Sequence, residues 1–330
     1  MLWLRVPEKV YIKKGCMPVA LRELKDVMGR KRAFIVTDTE SYKSGRTAPV
    51  ERLLDCINIQ HTSFYEIDGE VTLCNIQSGA KAAALFEPDV IIAVGGGSAM
   101  DGAKLIRIMY EVPDTDIKAL SERFCDIRKR EELFPRTNVK AALVTVPAAS
   151  GTGEEVTPYA AFYDDEKRYV IADYEVMPEF AVVDPDFMIT QTREEIAAAA
   201  SAAMVNIISA YESKNSTEYT DGFVIKALAN VIGFLPSYIE NGSNDPYGCE
   251  KLAQASCMAG MAYANTEHIS DAAYTVSELA DRAEKGIGKD NALLERYAAL
   301  GAAVGIEGGS VEERADGIVA KIKEMAELLA

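Results

Sequence analysis

Three consecutive glycines stand at the end of a short apolar segment, and they dictate a strand, a tight turn and a helix start in that order. Asp89-Val90-Ile91-Ile92-Ala93-Val94 is apolar after its first residue, the composition of a strand covered on both faces. Gly95-Gly96-Gly97-Ser98 follows at once, and Ala99 to Ile106 reads as the first turns of a helix. Residues without Cβ let a backbone approach a phosphate closely, and a helix start offers free N–H groups and a partial positive charge. The spacing is neither the dinucleotide fingerprint with separated glycines nor a P-loop, because no Gly-Lys-Ser/Thr follows. A plain strand-to-helix turn satisfies the same pattern, so the glycines alone leave both readings open.

The remainder of the chain divides near Asp184-Pro185-Asp186. Before that join, apolar segments at 33–38, 89–94, 142–146 and 180–183 alternate with helical spacing over 19–28, 50–56 and 74–86. The alternation predicts a mostly parallel sheet of roughly six or seven strands with helices on its faces. From Thr192 onward the strand signal vanishes, and 194–211, 221–239, 247–264, 270–285, 291–303 and 311–329 read as helices. The fold class is α/β: a parallel-sheet domain over residues 1–188, then an all-α domain over 189–330, with no sheet after residue 190.

A net charge of −16 excludes nucleic acid and anionic membrane surfaces as partners, since both require basic patches. The longest apolar run, Ile196 to Val205, is mostly alanine, and no run is read as approaching a membrane span. Met1 to Arg5 lacks the pattern of a signal peptide, and the six cysteines show neither CxxC nor disulfide-framework spacing. A cytoplasmic protein with reduced thiols is expected, assembled as a homo-oligomer.

Two further strand ends bear on the glycine turn. Asp38 closes the segment 33–38, where an acidic side chain can accept hydrogen bonds from a ribose diol; the plainer reading is a helix N-cap. Pro147-Ala148-Ala149-Ser150-Gly151-Thr152-Gly153-Glu154-Glu155 follows another strand, with glycines and hydroxyls suited to wrapping a cofactor, or simply a loop. Three such loops at the carboxyl ends of strands match where open α/β sheets bind ligands.

The run Arg5-Val6-Pro7-Glu8-Lys9-Val10-Tyr11, the motif Gly95-Gly96-Gly97-Ser98-Ala99-Met100-Asp101, Ser150-Gly151-Thr152-Gly153, Ala172-Asp173-Tyr174-Glu175, Val183-Asp184-Pro185 and Met258-Ala259-Gly260-Met261-Ala262 together resemble the iron-dependent alcohol dehydrogenase family. The likeness is greatest to the alcohol dehydrogenase part of bifunctional aldehyde-alcohol dehydrogenases, nearly collinear to about residue 265. The resemblance implies a dinucleotide-binding domain, a helical domain, NAD as cofactor and a small alcohol or aldehyde as substrate. Its implied cofactor residues are Asp38, Gly95, Gly96, Gly97, Ser98, Asp101, Ser150, Thr152, Thr157 and Arg168. Asp38 stands where the family separates NAD from NADP, and its charge would repel a 2′-phosphate.

The same resemblance implies a divalent metal, usually iron, held by one Asp and three His. Here Ala202 stands at the Asp position and Asn206 at that of the first His, while Ala272 and Val276 fall in the next His-bearing helix. With two histidines in all, His61 and His268, the chain cannot supply three. The metal is therefore expected to be absent and the activity weak or lost, leaving either a degenerate oxidoreductase or a non-catalytic nucleotide-binding or assembly subunit. His61 reads as a strand-edge residue, His268 as a helix terminus, and Cys249 and Cys257 as buried thiols. Departures on the cofactor side include Ala148 and Ala149 for threonines, Glu70-Val71 for Asx-Pro, and Glu154 for a small residue where an anionic cofactor would lie. Tyr163-Asp164-Asp165-Glu166-Lys167 fits Tyr-x-x-x-Lys, but three acids would raise the tyrosine pKa, and the segment reads as a solvated turn.

Overall fold

The computed structural model describes residues 4–122, 134–137, 139–148, 152–266 and 274–330. These residues form two compact units. One holds the described residues of 5–148 and 154–188; the other holds residue 4, residues 152–153 and the described residues of 189–330.

Eight strands lie in the first unit: β1 (Lys9–Ile12), β2 (Arg32–Asp38), β3 (Gln60–Ile67), β4 (Val90–Gly95), β5 (Ala142–Pro147), β6 (Tyr159–Asp164), β7 (Lys167–Ala172) and β8 (Phe180–Val183). Six form a parallel sheet in the order β1-β8-β5-β4-β2-β3, while β6 and β7 pair as a separate antiparallel hairpin. Its helices are α1 (Met17–Asp26), α2 (Thr39–Lys43), α3 (Ala48–Cys56), α4 (Leu73–Phe86), α5 (Gly97–Glu111), α6 (Ala119–Glu122) and α7 (Pro185–Met188).

Alternation along the central strands sorts the side chains into two cores. Ile35, Ile92 and Val144 join Leu21, Leu24 and Leu54 from α1 and α3. Phe34, Ile91 and Leu143 join Ile76, Met100 and Ile106 from α4 and α5. Both faces being covered, the strands carry near-continuous apolar runs, and that is why their sequences betray them. The apolar runs predict only β2, β4, β5 and β8; β1, β3 and the hairpin are additions. β1 and β3 are the sheet's edges, and β3 buries only Phe64 and Ile67 of its eight residues.

The second unit is helical: α8 (Arg193–Glu212), α9 (Glu218–Asn241), α10 (Pro246–Asn265), α11 (Val276–Ile287), α12 (Asn291–Ala303) and α13 (Val311–Leu329). Among the described residues no strand follows Val183. Reciprocal capping boxes at Thr192, Thr217, Thr275 and Ser310 start α8, α9, α11 and α13 by satisfying the first free amides. α9 is long and apolar enough, by length and composition, to cross a membrane, with a mean hydropathy of 1.5 in its most apolar window. This corrects the expectation that no run approaches that length. Gly, Asn, Pro and Ser interrupt the run to the eye while its mean hydropathy stays high. In the fold α9 packs against α8 and α10.

Candidate functional site

The site is built where β4 ends. Gly95 has a φ of +147°, and a Cβ there would lie 2.7 Å from Asp38 Oδ2 and 2.9 Å from Ala99 Cβ, so only glycine serves. Asp38 stands beside it because β2 neighbours β4. Its carboxylate caps α2: Oδ1 accepts the Ser41 N–H at 2.7 Å and Oδ2 accepts the Ser41 hydroxyl at 2.8 Å. The N-cap reading of Asp38 is thus realised, with Oδ2 at the same time close to Gly95.

α5 starts at Gly97 with Gly96 as N-cap and no side-chain cap on its first amides. A Cβ at Gly97 would meet the Glu154 carboxyl, its carbon 3.5 Å away and both oxygens 3.6 Å away. Gly95, Gly96, Gly97, Ser98 and Asp38 are therefore gathered at one strand-to-helix turn, with Glu154 against it.

Asp101 and Thr157 lie beneath that turn in a buried polar cluster. Asp101 Oδ2 accepts the Ala161 N–H at 3.0 Å, tying α5 to β6, while Oδ1 has no hydrogen-bond partner among the described residues. Burial pushes the Asp101 carboxyl up to about 6, against the opposing pull of Lys104 and Arg168. Lys104 is completely buried and donates to Tyr159 O (2.6 Å), Glu154 O (2.8 Å) and Thr157 Oγ1 (3.1 Å). Burial lowers its pKa, and Asp101, Glu154 and Glu155 work the other way. Glu155 is itself buried, and its carboxyl is pushed up to about 7 by desolvation. Arg168 lies exposed on β7, across from Tyr163.

Lys104 is the member of this cluster that sequence reading passed over. Its signal was present: Met100, Lys104 and Ile108 recur at steps of four, on a helix with eleven of fifteen residues buried. Thr152 belongs to the helical unit, and Ser150 lies outside the described residues.

In that unit Ala202 and Asn206 sit one turn apart on α8, and Asn206 Nδ2 donates to Thr152 O at 3.0 Å. Gly153 (φ +74°) and Gly260 meet closely, for a Cβ on Gly260 would lie 2.4 Å from Gly153 O. Val276 is buried at the start of α11. Ala272 and His268 lie outside the described residues.

Elsewhere the plainer readings hold. His61 is on the edge strand β3, paired with Asp55 at 3.1 Å. Cys249 and Cys257 are buried on α10. Tyr163 and Lys167 flank the hairpin turn, and the Lys167 ammonium sits over Tyr169, 4.5 Å from the ring centre. Among the described residues, no group of three or more His, Cys, Asp or Glu side chains could hold a metal ion.

Residues 7–185 match the iron-containing alcohol dehydrogenase family, and residues 196–275 match the C-terminal region of the Fe-containing alcohol dehydrogenase family. The chain is 35% identical over 358 residues to the aldehyde-alcohol dehydrogenase of Clostridium acetobutylicum, spanning all of this chain and 41% of that protein. It is 38% identical over 267 residues to the bifunctional aldehyde-alcohol dehydrogenase AdhE of Escherichia coli K12, spanning 80% of this chain and 30% of that one. The chain thus covers less than half the length of either relative. Its fold matches the iron-containing alcohol dehydrogenase of Thermococcus thioreducens with a TM-score of 0.85, at 23% identity, over all of this chain and 86% of that one. Matched in sequence across both its sheet and its helices, this chain belongs to the iron-containing alcohol dehydrogenase family.

Proposed function

We propose that the chain is a nicotinamide-dinucleotide-binding scaffold of the alcohol/aldehyde oxidoreductase type whose metal centre is degenerate, so that it turns over little or no alcohol by itself. The glycine turn supports the cofactor half of this reading. Its uncapped amides at Gly97 and Ser98 suit a pyrophosphate, and the Asp38 carboxylate beside Gly95 suits a ribose diol and disfavours a 2′-phosphate. Asp101 and Thr157 would support the turn from beneath, with Arg168 lending positive charge nearby.

The observation that carries the metal half is Asn206. In this family a divalent ion polarises the alcohol or aldehyde oxygen. Ala202 offers a methyl group with no lone pair, and the Asn206 amide, whose nitrogen donates to Thr152 O, has only a neutral carbonyl oxygen to offer an ion. A neutral amide is a poor ligand for iron or zinc, and two histidines cannot furnish three. These residues do not fit the ion, and no step is routed through it.

Incubating the purified chain with iron or zinc, NAD and short alcohols, and following NADH absorbance, tests the reading. No metal-dependent turnover is expected. Turnover that needs added metal and disappears with a chelator would overturn it. For the cofactor half, NADH titration by fluorescence should show binding to wild type and its loss in Gly97→Asp; equal affinity would remove the turn from the site.

A further inference from the structure

Glycine at position 97 has a purpose only if something comes close to its Cα. A missing Cβ opens a space over the start of α5 through which a phosphate can settle on the helix amides. In this chain a carboxylate stands at the edge of that space. The Glu154 carboxyl lies flat against it, with Cδ at 3.5 Å and both oxygens at 3.6 Å from where a Cβ would stand. Gly96 faces no atom within 4 Å of its own Cβ position, so the carboxyl borders the turn on the Gly97 side.

The main chain that carries Glu154 is fixed. Its carbonyl accepts from the buried Lys104 ammonium at 2.8 Å, and the Thr157 hydroxyl, itself held by Lys104, lies 3.4 Å from the same oxygen. The short helical turn 154–156 and the strand that follows are buried against α5, with Lys104 bonded to Tyr159 O as well. With its main chain held in this way, the side chain is the part of Glu154 that would have to move for the turn to open. Lys104 is committed to three oxygens and is buried, so it does not offset a phosphate's charge at the mouth of the turn.

We infer that Glu154 is an anionic gate on the glycine turn: its carboxylate borders the place where a phosphate would settle, repels phosphorylated ligands electrostatically, and must swing aside before a dinucleotide seats. This deepens the dinucleotide reading given above and rests on it. Removing the charge frees the turn for any ligand that brings a phosphate there, and does nothing for a ligand that brings none. Because two like charges cannot share the site, the gain on neutralising Glu154 is expected to be about ten-fold or more in affinity.

The test compares wild type, Glu154→Gln and Glu154→Thr by calorimetric or fluorescence titration with NADH, ADP and adenosine. Both variants should bind NADH and ADP about ten-fold more tightly than wild type, with adenosine changed by less than about two-fold. Adding Gly97→Asp to Glu154→Gln should abolish the gain, locating it at the turn. Equal NADH and ADP affinities in wild type and both variants would overturn the gate while leaving dinucleotide binding standing. A gain for adenosine equal to that for ADP would overturn it too, showing a steric effect indifferent to phosphate. Failure of all three proteins, folded by circular dichroism, to bind any of the probes would overturn the gate together with the reading beneath it.

Discussion

Replacing Lys104 by Met should destabilise the sheet-bearing unit severely. The methionine nearly matches the stem in shape, so the change isolates the ammonium. Three oxygens converge on that group, at 2.6, 2.8 and 3.1 Å, and a group with three donors and no acceptor capacity meets them only as –NH3+. Hydrogen bonds to a charged group contribute roughly 1.5–3 kcal/mol each. Relief of the desolvation cost of the ammonium offsets part of that sum. Breaking a buried charged constellation by removing one partner nets about 3–5 kcal/mol of destabilisation. The Tyr159 carbonyl loses the strongest bond, while Glu154 O retains the Thr157 hydroxyl. For a unit of this size each kcal/mol moves Tm by about 2–4 °C, so a fall on the order of 10 °C is expected. The loss should be greater at pH 8 than at pH 6, because Glu155 and Asp101, pushed up to about 7 and about 6, ionise over that interval beside a cation that is no longer there. Urea unfolding and thermal scans at both pH values measure this. A Tm within about 2 °C of wild type would refute the account of Lys104 as the keystone of the cluster.

Glu155→Gln should remove a pH dependence. The folded carboxyl binds its proton until about pH 7 whereas the unfolded one releases it near 4.5, so its contribution to stability is full below about 4.5 and is lost as pH rises to about 7. The stability of the variant relative to wild type should therefore increase between pH 5 and pH 8, and a constant difference in urea melts would count against it. Gly260→Ala should cost the helical unit about 1–3 kcal/mol, because its methyl would fall 2.4 Å from Gly153 O and 2.7 Å from Gly153 Cα, both backbone atoms that cannot rotate away. Thermal unfolding checks this, and an unchanged Tm would mean that the two glycines are not pressed together. Asn206→Ala should cost about 1 kcal/mol through loss of the bond to Thr152 O, and should leave metal affinity where it was; a variant that binds zinc less well than wild type would show Asn206 to be a ligand.

Which parts of this molecule could be seen in its sequence follows from what each residue had to satisfy. β4 and β5 are buried along their whole length, so apolarity announces them, and helices α8, α9, α11 and α13 carry Thr or Ser with a partner three residues on. β3 is different. As an edge strand it keeps Gln60, Tyr65 and Glu66 exposed, and its composition matches a loop as well as a strand. The hairpin β6–β7 is hidden by the acids of its turn, where Asp165 takes a positive φ of 53°. At the site, Asp38 and the glycines were legible because backbone geometry demands them. The Lys104 cluster was less so, since a lysine in a helix ordinarily faces water, and only the close fit of three oxygens justifies burying one. Glu154 was visible as a charge in an odd place, but its apposition to Gly97 depends on the loop after β5 returning to α5, which no local pattern encodes.

The pairing of β1 with β8 has a consequence for how the chain comes to be folded. Lys9 is matched to Phe180 and Ile12 to Val183, and the Gly15 and Met17 amides both donate to Asp184, so the first strand made has no neighbour until the last one exists. Parallel pairs separated this far in sequence form slowly, because a long loop must close before any contact rewards it. A chain growing from its N-terminus can join β2, β3 and β4 early and add β5, but β5 then shows a bare edge of buried-type residues until Phe180–Val183 arrive to cover it. The interval between synthesis of β5 and of β8 is the period of greatest exposure to wrong partners. Shortening the chain before Val183 should therefore yield aggregates instead of a smaller sheet, and β1, though translated first, is the last strand to find its place.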